Sequence, residues 1–238
     1  MIFAIAFLAG LIRGYTGFGF AMLLALGLML KVPPAQAVPV ALLLDIVCSA
    51  ALWRGAVRAV DKPALLRLSL GMLLAVPLGV WLLATVPATQ MAPWVALLCL
   101  FGGVMVLWRP QSAGSWSAWW ALPAGLASGL ATSVASAGGP PLIIYLLRSG
   151  LNAAQVRGTA VLFFLLSSIF ALIGLGIGGV LTRVEWSLAG WLLLPALAGN
   201  LAGQWLHPRW QPLPLHWLLG SVLVLLASGS LLRALLLA

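Results

Sequence analysis

Two stretches decide how this chain is read. The first is Ala9-Gly10-Leu11-Ile12-Arg13-Gly14-Tyr15-Thr16-Gly17-Phe18-Gly19-Phe20. The second is Ala124-Gly125-Leu126-Ala127-Ser128-Gly129, continuing through Thr132-Ser133-Val134-Ala135-Ser136-Ala137 to Gly138-Gly139-Pro140-Pro141. Each is an apolar run broken by glycine or proline, and the breaks fall at matching places in the two halves. Non-helical backbone at membrane depth survives only where protein buries it or where it lines a polar cavity. Broken segments at corresponding positions of two halves point to the binding site of a secondary transporter.

The surrounding composition supplies the membrane. Of 238 residues, 63% are hydrophobic and 6% charged, and the mean hydropathy is +1.16. A soluble surface needs roughly a quarter of its residues charged, so a water-soluble fold is excluded. The length suits six to eight membrane segments of about 20 residues each. No stretch is polar enough for an extramembrane domain. The net charge of +9 sits mostly in short loops, as the positive-inside rule expects, and not with aromatics on a nucleic-acid face. Cys48 and Cys99 lie in apolar runs without metal or redox spacing and read as packing residues. Residues 1–9 lack a basic leader region, so a cleaved signal is not expected. Trp53, Trp108, Trp116, Trp119 and Trp120 lie at the ends of apolar runs, where aromatic belts form.

Apolar runs fall at about 1–13, 20–31, 36–53, 64–85, 91–108, 116–133, 141–149, 154–179, 186–206 and 215–236, at helix-like lengths. Landmarks pair the halves. Gly10 and Gly14 match Gly125 and Gly129 at a spacing of 115 (125 − 10, 129 − 14). Ala35-Gln36 matches Ala154-Gln155 at 119 (155 − 36). Gly79-Val80-Trp81-Leu82 matches Gly203-Gln204-Trp205-Leu206, and Arg109 matches Arg233, at 124 (203 − 79, 233 − 109). The expected fold is an all-α integral membrane protein with two tandem repeats, residues 1–110 and 116–238. Each repeat is a broken or re-entrant element followed by three transmembrane helices.

Charge placement bears on whether the breaks cross the bilayer. Eight crossings place Arg54, Arg58, Lys62, Arg67, Arg109, Arg183 and Arg233 opposite Lys31, Arg148, Arg157 and Arg209, seven to four. Re-entrant hairpins place Arg54, Arg58, Lys62, Arg67, Arg109, Arg148, Arg157 and Arg209 opposite Lys31, Arg183 and Arg233, eight to three. Arg183 is also offset by Glu185. Residues 141–149 would rise only about 14 Å as a helix, so inverted repeats with both termini outside are favoured.

The breaks locate the chemistry. Gly17-Phe18-Gly19 and Gly138-Gly139-Pro140-Pro141 turn into second half-helices, glycine for the tight backbone and proline for the first turn. Free N–H groups and partial positive charge at two such ends would hold an anion, unless the glycines only permit close helix packing. Arg13 is an intramembrane charge, either a substrate contact or the partner of Asp45, which could also carry a coupling proton. Tyr15, Thr16, Thr132, Ser133 and Ser136 supply hydroxyls. Asn200 and Gln204 share a helix face as polar lining or interhelical bonds. Arg157 and Thr159 read as gate or topology residues. His207 and His216 fall in a proline-rich loop. No catalytic triad, metal cluster or P-loop is present, so no enzyme, metal or cofactor is expected.

Arg13-Gly14-Tyr15-Thr16-Gly17-Phe18-Gly19-Phe20-Ala21 and Ala137-Gly138-Gly139-Pro140-Pro141-Leu142-Ile143-Ile144-Tyr145-Leu146-Leu147 resemble the paired signatures of the sulfite exporter TauE/SafE family, the toluene-sulfonate uptake permeases. Phe20 stands where many relatives continue with glycine. The resemblance implies a multi-pass carrier of small sulfur anions such as sulfite, sulfonates, sulfoacetate or thiosulfate. It is expected in a bacterial inner membrane, with proton or sodium as coupling ion and a homo-oligomer left open. Together the readings place the anion on Arg13, Tyr15, Thr16, Gly17, Phe18, Gly19, Ser136, Gly138, Gly139 and Pro140. A membrane scaffold that uses the breaks only for packing is the alternative. A channel is disfavoured because no ring of repeated charges appears.

Overall fold

The computed structural model describes residues 2–108, 116–184, 186–207 and 215–236. Arg109, Glu185 and Arg209 lie outside them, as do the side chains of Trp108, Arg183, His216 and Arg233. Among the described residues the ten apolar runs become ten α-helices, and no strand occurs. They are α1 (Ile2–Thr16), α2 (Phe20–Met29), α3 (Pro34–Ala59), α4 (Lys62–Thr85), α5 (Ala88–Trp108), α6 (Ala121–Ala135), α7 (Gly139–Arg148), α8 (Ala153–Ile177), α9 (Trp186–Leu206) and α10 (Leu215–Leu236). His216 belongs to the first turn of α10 and not to a loop, because the apolar run from Leu215 carries it into the helix. His207 directly follows α9.

Local chemistry sets several ends. The Asp61 carboxylate accepts from the Ala64 N–H at 2.8 Å and starts α4. Asn152 and Gln155 form a reciprocal capping box at the start of α8, which satisfies two otherwise orphan donors.

By length and composition α3, α4 and α8 suffice to cross a membrane. The helices of the two breaks have 15, 10, 15 and 10 residues. At 1.5 Å per residue each spans about 15–22 Å, short of a hydrocarbon core of about 30 Å. They form two helical hairpins. α2 folds back along α1, so that Gly27 lies beneath Ile5. α7 folds back along α6, so that the Trp116 N–H donates to the Arg148 carbonyl at 2.7 Å. The Arg148 guanidinium also lies 4.8 Å from the Trp116 ring.

Each hairpin's first arm packs on a helix of the other half: α1 on α9, and α6 on α4. Glycine makes these contacts, since it lets backbones approach where apolar burial offers little drive between helices in lipid. A methyl group on Gly14 would lie 2.0 Å from the Asn200 carbonyl oxygen, and one on Gly125 would lie 2.1 Å from that of Leu68. Gly10, Gly14, Gly125 and Gly129 therefore serve packing, while the turns themselves belong to Gly17 and Gly19, at φ 87° and 91°, and to Ser136, at φ 54°. α3 runs antiparallel to α8, with Ala56 beside Gly158 and Asp45 beside Ser168. α5 runs antiparallel to α10, with Gly103 against Leu223 and Gly220 against Leu107.

Outward faces carry Leu74, Trp81, Trp94, Phe101, Trp191 and Leu194, while Arg13, Asp45, Ser49, Thr132, Ser168 and Asn200 are buried. An apolar exterior of that extent around polar centres marks a membrane surface.

Candidate functional site

The break after α1 is held by Thr16. Its hydroxyl donates to the Ile12 carbonyl at 2.8 Å and to the Phe18 carbonyl at 3.0 Å, and accepts from the Phe18 N–H at 3.2 Å. These bonds aim Phe18 and Gly19 inward and start α2 at Phe20. The break after α6 is closed by Ser136 in the left-handed region, its N–H on the Thr132 carbonyl at 2.8 Å. A non-glycine residue there costs on the order of 1 kcal/mol and marks a place worth a functional question. The Ser128 hydroxyl donates to the Gly138 carbonyl, fixing the turn into α7.

Between the two hairpins and the α3–α8 crossing lies a cavity lined by Arg13, Phe18, Gly19, Ala21, Met22, Asp45, Thr132, Ser136, Gly139, Pro140, Phe164 and Ser168. Its volume is about 10 Å³, room for about one water. Arg13, 1% exposed, is among the largest fully buried side chains of the described residues. The guanidinium donates to the Ser49 hydroxyl, lies 3.5 Å from an Asp45 carboxylate oxygen and sits 5.1 Å from the centre of the Phe164 ring. The other Asp45 oxygen accepts from the Ser168 hydroxyl at 2.9 Å. Arg13 Nε and the hydroxyls of Thr132 and Ser136 are buried and make no hydrogen bond. Three unused donors thus stand around one small space, beside the N-terminal ends of α2 and α7, together with the Asp45 oxygen that faces Arg13 and accepts no hydrogen bond.

The sequence-expected residues divide here. Arg13, Phe18, Gly19, Asp45, Ser136, Gly139 and Pro140 come together on the cavity. Thr16 is committed to its own turn. Tyr15 faces away, its ring edge-on to His207 with centroids 5.4 Å apart. Gly17 lies against the Arg157 side chain, and Gly138 packs under Thr132 and Ser128. The Asn200 amide donates to the Cys48 carbonyl at 3.0 Å, joining α9 to α3, and Gln204 abuts Gly14. The expected backbone cradle over 138–142 is thinner than its glycines suggest, because Pro140 and Pro141 carry no N–H; Thr132 and Ser136 supply hydroxyls beside it. Ser49, Phe164 and Ser168 were missed. Ser49 lies four residues after Asp45, and Ser168 four after Phe164, a spacing that shares a helix face.

A second cavity of about 400 Å³ lies between the C-terminal half of α3 and the start of α8, lined by Leu52, Gly55, Ala56, Ala59, Ala153, Ala154, Arg157, Gly158, Val161 and His207. Arg157 marks its inner end, donating to the Gly14 carbonyl at 2.6 Å, one residue from Arg13. Thr159 accepts from the Asp61 N–H at 3.0 Å and ties the α3–α4 turn to α8. Burial, and then the Arg157 charge, hold the His207 imidazole below its ordinary pKa, against a hydrogen bond to the Tyr15 backbone that raises it.

An apolar exterior, helices of membrane-crossing length and a buried polar centre define a helical integral membrane protein. The family model for the sulfite exporter TauE/SafE matches residues 2–229, and the chain belongs to that family. Membership implies a membrane transporter of small sulfur anions working in a lipid bilayer. No curated protein and no solved structure matches the chain.

Proposed function

We propose that the protein is a secondary transporter that moves a small sulfur-containing anion of the sulfite, sulfonate, sulfoacetate or thiosulfate type by alternating access in a bacterial inner membrane. The observation that carries this reading is the set of unused buried donors, Arg13 Nε, Thr132 Oγ and Ser136 Oγ, on one cavity. Buried polar groups are ordinarily hydrogen-bonded, and an oxyanion admitted as the two hairpins move apart would satisfy all three.

The helix pairing supports inverted repeats. Gly10 faces α9 and its sequence match Gly125 faces α4; Gly79 faces α6 and its match Gly203 faces α1. Helices equivalent in the two halves, α3 with α8 and α5 with α10, run antiparallel. An axis in the membrane plane requires that direction, whereas parallel repeats would align them. The Trp116–Arg148 contact supports re-entrant hairpins, since a crossing α6–α7 unit would place these residues on opposite faces. Arg54, Arg58, Lys62, Arg67, Arg148 and Arg157 then share one end, which the positive-inside rule makes cytoplasmic. The larger cavity is the vestibule from that side, Arg157 is its inner gate, and the Arg13 cavity is the occluded site.

Packing alone explains Gly10, Gly14, Gly125 and Gly129, and a scaffold would need no more. It leaves the three orphaned donors without a partner. The test is uptake of labelled sulfite, thiosulfate and sulfoacetate into proteoliposomes. A methyl group on Gly139 would rest 3.7 Å from Phe18 and 3.9 Å from Phe164, so Gly139→Ala is accommodated while Gly139→Leu fills the cavity. Uptake by wild type that Gly139→Leu abolishes supports the reading. No uptake of any of the three by wild type sinks it.

A further inference from the structure

Resting on the anion-site reading, we propose that Asp45 is the coupling group: the carrier takes up one proton on the Asp45 carboxylate with each anion that enters the Arg13 cavity. As it stands the site is already neutral. Arg13 and Asp45 lie 3.5 Å apart, each 1% exposed. An incoming monoanion would leave a net negative charge among buried side chains, and burying an unpaired charge is severely unfavourable. A proton on Asp45 restores neutrality. It also releases the guanidinium from its counterion, so that Arg13 can turn its charge to the substrate.

The surroundings confine the role to this carboxylate. The chain has three acidic residues, Asp45, Asp61 and Glu185, and Asp61 caps α4 at the membrane face. Around Asp45, α1 presents Arg13, α8 presents Phe164 and Ser168, and α3 itself presents Ser49 and Cys48; α2 presents Met22, α6 presents Thr132 and Ser136, and α9 presents Asn200 to the Cys48 carbonyl. Of these only Arg13 and Cys48 carry ionisable side chains. Arg157 approaches from the vestibule, bonded to Gly14. The guanidinium occupies the place beside Asp45 that a sodium ion would need, which favours a proton as coupling ion.

The positions equivalent to the pair carry no charge. Asp45 corresponds to Phe164 and Ser49 to Ser168 at 119 (164 − 45, 168 − 49), and Arg13 to Ser128 at 115 (128 − 13), the spacings of the repeat landmarks. One half supplies both charges, while the other supplies the hydroxyl that holds Asp45 and the ring that covers Arg13. The site therefore has one proton acceptor, and one proton per anion follows.

The experiment uses the purified full chain with ethanesulfonate, a monoanion fully ionised at neutral pH that neither brings nor takes a proton. Thiosulfate, a dianion, serves only to test binding. Calorimetric titration in buffers of different ionisation enthalpy counts protons taken up on binding. Wild type is expected to take up about one proton per anion, with affinity rising about tenfold per unit fall in pH. Asp45→Asn is expected to bind without proton uptake and to lose that slope. In proteoliposomes a pH gradient is expected to drive wild-type accumulation, and a sodium gradient alone is not.

Binding by wild type without proton uptake overturns the proposal while leaving the anion site standing, and it needs no variant to fold. Unchanged proton uptake in Asp45→Asn moves the role to another group and overturns the assignment. Failure of wild type to bind either anion, or sulfite or sulfoacetate, overturns the anion site and the coupling together.

Discussion

Replacing Arg13 and Asp45 by leucine, singly and together, tests whether the pair is a coupled unit. At 3.5 Å and an effective dielectric of about 20, opposite unit charges attract by about 5 kcal/mol. Both side chains gave up hydration to be buried, so their net contribution is far smaller than that attraction. Removing one partner is different. Arg13→Leu leaves the Asp45 carboxylate with only the Ser168 hydroxyl, and Asp45→Leu leaves the guanidinium with only Ser49 and the Phe164 face. Each single change is expected to cost about 3–5 kcal/mol, whereas the double change should lie within about 1 kcal/mol of wild type or above it. The assay is reversible denaturant unfolding in mixed micelles, with and without thiosulfate. At a hundred times its Kd the anion should stabilise wild type by about 2.7 kcal/mol and leave the double variant unmoved. Single changes costing under about 1 kcal/mol, or a double change costing their sum, would refute the coupling. An undiminished thiosulfate effect in the double variant would remove Arg13 from the site.

Gly14→Ala places a methyl group 2.0 Å from the Asn200 carbonyl oxygen and is expected to destabilise by about 1–3 kcal/mol through forced separation of α1 and α9; unfolding at wild-type denaturant would contradict it. Ser136→Gly should relieve the left-handed strain and raise stability by up to about 1 kcal/mol, yet weaken anion binding through loss of the hydroxyl. A variant that binds as tightly as wild type would exclude that hydroxyl from the site. His207 has a lowered pKa in the folded protein, so the unfolded chain binds more protons there. Its contribution is full above the ordinary value of about 6.5 and is lost as pH falls through the lowered one. Wild type should therefore lose more thermal stability than His207→Gln as the pH is taken from about 7.5 to 5.5, and equal losses would reject this. Cysteines placed at Arg58 and Ser149 should react with an impermeant maleimide from the same membrane face, and one at Lys31 from the other. Labelling of 58 and 149 from opposite faces would end the hairpin reading.

The sequence alone determined the membrane class and the helix positions, because apolar run length and glycine–proline punctuation are local properties written into neighbouring residues. Arg13 and Asp45 stood out for the same reason, as charges inside apolar runs. Which glycines turn and which pack was not legible. Gly14 and Gly17 are three residues apart, yet one meets α9 and the other sits at positive φ beside Arg157. Nor could spacing separate the hydroxyl of Thr16, consumed by its own turn, from those of Thr132 and Ser136, left open to the cavity. Phe164 and Ser168 enter the site only because α3 and α8 run antiparallel and bring mid-helix residues more than a hundred positions apart into contact, and Ser49 because α3 also packs against α1. That juxtaposition is fixed by packing between distant segments, and only the tertiary structure could decide it.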